Sequence, residues 1–260
     1  MRCMKRDAMH YDAVRRYVCS ILRYVFYLLG TLTTSALRHM ETMKTVKTVK
    51  RSAPPIRDAL VMAFDVGFRN LAFCCAEVRA DDPAVAKVIG WGTIDLGADW
   101  RKMLYMAQFT RLADALDVLL DDLDPDGDGG VSSEWHAVRP GRDTRVYVEQ
   151  QPSRNPTMKN IEAMLKCYFS MRAHYRAERV RVVSVSARAK LRHVAAGDAK
   201  KTYAARKRTA IEEVRAMIAA GGDAAAPLAE EFAAHKKRDD LADAALYVCS
   251  ATGASRLVKK

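Results

Sequence analysis

Two apolar runs of strand length each end on a carboxylate, and this pattern limits the architecture more than any other feature of the chain. Residues 59–64, ALVMAF, are closed by Asp65 and Gly67, and residues 145–150, RVYVEQ, run into Glu149. Runs this short, apolar throughout and bounded by turn residues, are buried strands. If the two lie parallel and adjacent, their ends sit about 4.8 Å apart and the two carboxylates converge.

The segments between and after them complete the pattern. LAFCCAEV (71–78) and VAKVIGWGTIDL (85–96) follow the first run after short turns, which predicts a three-stranded antiparallel meander. Residues 100–122 repeat apolar side chains at helical spacing, with Leu112, Leu116, Leu119 and Leu120 on one stripe. A helix over 157–177, a buried strand over 180–185, a basic helix over 204–220 and a final helix over 230–251 come next. Parallel neighbours need crossovers, so the expected class is α/β: a mixed five-stranded sheet with helices on both faces. A chain of 260 residues can bury enough surface to fold without disulfides or a structural metal.

The first 55 residues differ from the rest. Six basic residues from Arg2 to Arg23 precede the apolar run 24–32, which is too short for a bilayer span of about 20 residues. A disordered tail, a targeting presequence and a short membrane-associated helix all fit it, and no stable membrane association is expected. The repeat KTVKTVK and Pro54-Pro55 read as a linker, so the division is 1–55 extension and 56–260 folded domain. The net charge of +12 is uneven: residues 52–138 sum to −8 and residues 139–215 to +12. A basic block of this kind suits a surface that follows a phosphate backbone, and a solvated basic face has the same composition. The six cysteines form no paired CxxC spacing, which argues against structural zinc and for a reducing, intracellular compartment.

Carboxylates carry the chemistry. Asp240 and Asp243, three residues apart in the last helix, share a face, and the stripe Leu241, Ala244, Ala245 and Val248 turns that helix toward the sheet. With Asp65 and Glu149 they make four acids that repel one another unless a divalent cation lies between them. Taken singly, each acid is equally a strand-end turn or a helix-surface charge. The acidic stretch at 121–134 places Asp124, Asp126, Asp128, Gly129 and Val131 at EF-hand positions 1, 3, 5, 6 and 8. Position 12 is Trp135, with Glu134 one residue early, so it reads as an acidic surface loop.

Three stretches together resemble one family. VMAFDVGFRNLAFCCAEV, YVEQQPSRNPTMKNIEAMLKCYF and KKRDDLADAALYV are similar, in that order, to the three acidic motifs of RuvC-like Holliday junction resolvases of the poxvirus and large DNA virus type, related to the yeast mitochondrial resolvases. The resemblance covers residues 59–251. It implies a ribonuclease H-like fold, a homodimer, branched DNA as partner, and Asp65, Glu149, Asp240 and Asp243 as catalytic metal ligands. It also implies a viral replication site or the nucleus as location, or an organelle if the extension is a presequence. Two Mg²⁺ ions, replaceable by Mn²⁺, would activate water and stabilise the leaving oxygen at a scissile phosphate, with Asp65 bridging them. Candidate DNA contacts are Gln151, Arg154, Asn155, Lys159, Lys200, Lys201, Arg206, Lys207, Arg208, Lys236 and Lys237. Gln151 and Asn155 serve equally as turn and cap residues, and Lys236 and Lys237 as a solvated pair. His235 is an auxiliary proton carrier or a packing residue, and the role of Asp239 is open. Met164, Tyr168 and Phe169 read as core or dimer interface. The expected function is paired nicking of four-way junctions. The rivals are a nuclease of RNA:DNA hybrids, an actin-like-fold phosphotransferase and a catalytically dead DNA-binding module. Gly67 is followed by Phe68-Arg69-Asn70, where the phosphotransferases carry Thr or Ser, and no acid is missing.

Overall fold

The computed structural model describes residues 58–123, 143–176, 179–188, 190 and 202–260. The N-terminal extension 1–55, the calcium-like loop at 124–135, and Lys200 and Lys201 lie outside the described residues.

Six strands form one mixed sheet. In chain order the elements are β1 (Ala59–Asp65), β2 (Asn70–Val78), β3 (Val85–Asp95), α1 (Tyr105–Asp122), β4 (Asp143–Gln150), α2 (Pro156–Arg176), β5 (Val180–Ser186), α3 (Tyr203–Ala219), α4 (Ala226–Ala234), α5 (Arg238–Thr252) and β6 (Arg256–Lys259). The strand order is β5-β4-β1-β2-β3-β6. As expected, β1 to β3 form an antiparallel meander, and β4 and β5 add in parallel on the other side of β1. The expected count of five strands is corrected to six. After α5 ends at Gly253, in the left-handed region at φ 81°, the chain returns along β3 and pairs Arg256–Lys259 in parallel with Val85–Val88. Leu257 alone is fully buried there, so four residues flanked by basic ones carry no strand signal in the sequence.

Two helix boundaries also differ. The stretch beginning at Trp100 opens as a 3₁₀ turn over Trp100–Lys102, because the buried Trp100 ring anchors the chain and Met103 turns extended before α1 begins. Gln108 Nε2 then donates to the Trp100 carbonyl at 2.6 Å, tying the turn to α1. The final helix, expected unbroken over 230–251, is two helices. His235 is extended with ψ 131°, and its Nδ1 accepts from the Lys237 amide at 3.0 Å.

Alternation along the strands decides what each face meets. Ala59, Val61 and Ala63 of β1 and Ala72, Cys74 and Ala76 of β2 pack against Leu241, Ala244, Ala245 and Val248 of α5, with α3 and α4 in the same cluster. Small side chains on both surfaces let α5 lie close against the sheet. The other residues of β1, among them Phe64, face the opposite layer, where the Phe64 and Phe169 rings lie 5.6 Å apart. Met164, Tyr168 and Phe169 are thus core residues of α2. Tyr168 Oη donates to Asp117 of α1 and accepts from Arg172 Nη1 at 3.3 Å, which ties α1 to α2. Trp91 stacks on Phe232 at 5.1 Å and donates from Nε1 to the Leu241 carbonyl at 3.0 Å, fixing the first turn of α5 to β3. Among the described residues no helix is long and apolar enough to cross a membrane.

The turn after β1 is closed tightly. A Cβ on Gly67 would meet the Asn70 carbonyl oxygen at 2.3 Å, backbone against side chain with no flexible partner to yield. Gly67→Ala should therefore displace the end of β1 and lower the thermal midpoint, by about 1–3 kcal/mol of stability. A midpoint equal to that of the parent chain in a thermal melt would show that the turn has room for a side chain.

Candidate active site

The register of β1 and β4 pairs Phe64 with Val148, so Asp65 and Glu149 are the next neighbours in the ladder. Both point to the α5 side, because they are two residues beyond Ala63 and Tyr147, which pack there. On α5, Asp240 and Asp243 face the same space, and all four acids line one cleft of ≈540 Å³. The acids selected from the sequence are therefore brought together by three elements from three parts of the chain.

Sequence analysis missed the cation among them. Lys190, a short distance beyond β5, places Nζ 2.5 Å from Asp243 Oδ2, 3.5 Å from Asp65 Oδ1 and 4.0 Å from Glu149 Oε1. Its side chain is 16% exposed. Burial works against its charge, but Asp65, Asp243 and Glu149 outweigh it and hold the ammonium pKa above its ordinary value. No spacing rule distinguishes Lys190 from the 18 other Lys and Arg of residues 139–215; only its approach to three acids does.

One ammonium does not balance the site. Asp65 is pushed up to about 7, first by burial and then by the Glu149 charge, with Lys190 opposing. Asp243 is pushed up to about 6 by burial, again against Lys190. Asp240 is raised by burial and by its neighbours Asp239 and Asp65. Asp239 behaves differently: burial raises it, but the ion pair with Lys207 dominates and its pKa falls. Lys207 of α3 also lies 3.8 Å from Asp240, so α3 clamps the first turn of α5. Tyr247, buried one turn beyond Asp243, is held well above its ordinary value by burial and by Glu149 and Asp65, and stays neutral.

The donors are hard carboxylate oxygens in excess over the cations beside them, which is the donor chemistry of Mg²⁺. Among the described residues no group of three or more Asp, Glu, His or Cys side chains is drawn close enough to hold a metal ion, and Lys190 Nζ lies among three of the acids. By donor type the four carboxylates suit a divalent cation.

The candidate DNA contacts divide. Gln151, Arg206 and Lys207 line the cleft, and Gln151 Nε2 donates to Glu149 Oε2 at 2.9 Å. Arg188 lines it too, although sequence analysis passed over it. Arg154, Arg208, Lys236 and Lys237 are exposed and stand outside the lining. Asn155 accepts at Oδ1 from the Met158 amide at 3.4 Å, the cap role at the start of α2. Lys159 is paired with Glu162 at 2.8 Å. His235 does not line the cleft, and its Nδ1 accepts from the Lys237 amide.

The site thus sits on an antiparallel meander extended by two parallel strands, with helices packed on both faces. No protein-family model and no curated protein matches the chain. Solved structures do. The chain is similar to the Fowlpox virus resolvase determined with substrate Holliday junction DNA, at 15% identity over 75% of this chain and 97% of that one, with a TM-score of 0.45. It is similar to the yeast mitochondrial Holliday junction resolvase Ydc2 at 14% identity, over 76% and 81% of the two chains, with a TM-score of 0.47. It is similar to Thermus thermophilus RuvC at 13% identity, over 75% and 96%, with a TM-score of 0.45. These are the groups that the three sequence motifs resemble.

Proposed function

We propose that the chain is a divalent-metal-dependent endonuclease that nicks branched DNA, four-way junctions foremost, and that it acts as a homodimer. The observation that carries this is the convergence of Asp65, Glu149, Asp240 and Asp243 in one open cleft with a basic rim. These four residues would hold Mg²⁺, or Mn²⁺ in its place, and the bound metal would supply a water of lowered pKa and charge stabilisation at the scissile phosphate. Gln151 fixes one oxygen of Glu149 and leaves the other turned to the site. Arg188, Arg206 and Lys207 at the cleft margin contact the phosphate backbone on either side of the scissile bond, which positions the strand without reading its sequence. Resolution of a junction requires two nicks on opposed strands, and two copies of the chain provide them.

The deciding experiment is nicking of a synthetic four-way junction, a linear duplex and an RNA:DNA hybrid side by side with Mg²⁺. Cleavage of the junction in preference to both others is the expected result. Preference for the hybrid would transfer the same acids to RNA hydrolysis, and phosphorylation of a small acceptor from ATP with no nicking would overturn the nuclease assignment.

A further inference from the structure

We infer that Glu162, a residue outside the carboxylate cluster, is a positioning residue that sets Glu149 for metal binding; this rests on the nuclease reading above. Its side chain is 1% exposed, on a helix face otherwise given to apolar packing by Ile161 and Leu165. A carboxylate is rarely placed there unless it is paired. Glu162 Oε2 accepts from the backbone amide of Gln151 at 2.9 Å and from Lys159 Nζ at 2.8 Å, while Oε1 accepts from Lys166 Nζ. The two lysines offset the charge, and the amide bond is where that charge meets the site.

Gln151 is the first residue after β4, where the chain turns toward α2. Holding its amide from α2 fixes the direction of the backbone two residues after Glu149. The buried Gln151 side chain then reaches back and donates to Glu149 Oε2 at 2.9 Å. One oxygen of Glu149 is thereby engaged, and the other faces the cation position now held by Lys190 at 4.0 Å. Glu149 is thus offered through one oxygen in a fixed orientation, the condition under which groups behind a metal ligand govern affinity. Lys159 and Lys166 are, in this arrangement, the counter-charges of Glu162.

The test uses the whole chain and four proteins: parent, Asp65→Asn, Glu162→Gln and Glu162→Asp. The last keeps the charge and shortens the reach by one methylene. Each is titrated with Mn²⁺ by calorimetry at a temperature where it is folded, and assayed for junction cleavage with kcat and KM separated. Both Glu162 variants should lose about 10- to 100-fold in Mn²⁺ affinity, with kcat reduced and junction KM unchanged. Parental Mn²⁺ affinity in the folded Glu162 variants, whatever their thermal midpoints, would overturn the inference, since a residue that only supports the fold leaves metal affinity alone. Failure of both variants to fold would overturn it too. If Asp65→Asn binds Mn²⁺ like the parent, the metal centre itself is misplaced. If Asp65→Asn loses Mn²⁺ and the Glu162 variants do not, the centre stands and Glu162 has no part in it.

Discussion

Asp65→Asn should reduce junction cleavage by several orders of magnitude while leaving junction binding intact. Asparagine keeps the shape but removes the charge of the acid that lies between Glu149 in the sheet and Asp243 on α5. Metal-derived charge stabilisation contributes several kcal/mol, and each 1.36 kcal/mol is about a tenfold change in rate. Glu149→Gln, Asp240→Asn and Asp243→Asn should behave alike, because all four acids serve one centre. Binding follows a different rule. Each substitution removes a negative charge facing the phosphates, so affinity measured by anisotropy in EDTA should stay level or rise, and should weaken with added salt. Asp239→Asn should be milder, since its carboxylate is paired with Lys207 rather than shared with Asp65. Wild-type nicking by Glu149→Gln, or a dead Asp239→Asn beside an active Asp240→Asn, would relocate the centre.

Lys190→Met should destabilise the metal-free chain strongly and the metal-loaded chain little. Removing one partner from a buried cluster of ions leaves uncompensated charge, at a cost of about 3–5 kcal/mol. For a domain of this size that is on the order of 6–20 °C in thermal midpoint. The sign with pH follows from the raised acids. Asp65 and Asp243, already at about 7 and about 6 with Lys190 present, should rise further without it. Groups whose folded pKa is raised stabilise at low pH and lose that contribution as pH rises through the folded value. The deficit in EDTA should therefore be small near pH 5 and full near pH 8, and millimolar Mg²⁺ should remove most of it by replacing one cation with another. A variant that melts with the parent in EDTA at pH 8 would show that the ammonium does not hold the acids together.

Much of this site was legible in the sequence because it depends on two periodicities. Asp65 and Glu149 could be read because each ends an apolar run, and parallel pairing then brings strand ends together. Asp240 and Asp243 could be read because a spacing of three keeps two residues on one helix face. Lys190 could not, since its role comes from its approach in space to acids 125 and 53 residues away. Glu162 was hidden for the same reason: on the sequence it is one charge in an amphipathic helix, and only the turn at Gln151 gives it a target. The sixth strand and the break at His235 escaped because neither carries a Gly, Pro or β-branched signal strong enough to outweigh its neighbours. Leu257 is buried in the strand by its neighbours across the sheet, and the extended His235 takes the Lys237 amide on its own ring.

The dispersal of the four acids has a consequence for how the molecule acquires activity. β1 must find β4 across some eighty residues, and α5 must then close over both, so the contacts that build the cleft are among the most distant in the chain. Long-range contacts form late, because loop closure has to precede them. A partly folded chain that lacks the docked α5 would hold Asp65 and Glu149 without Asp240 and Asp243, and so only half of the proposed centre. On the proposed reading, competence to cleave would therefore come only with the completed fold, and a chain in mid-folding would pose little danger to the DNA around it.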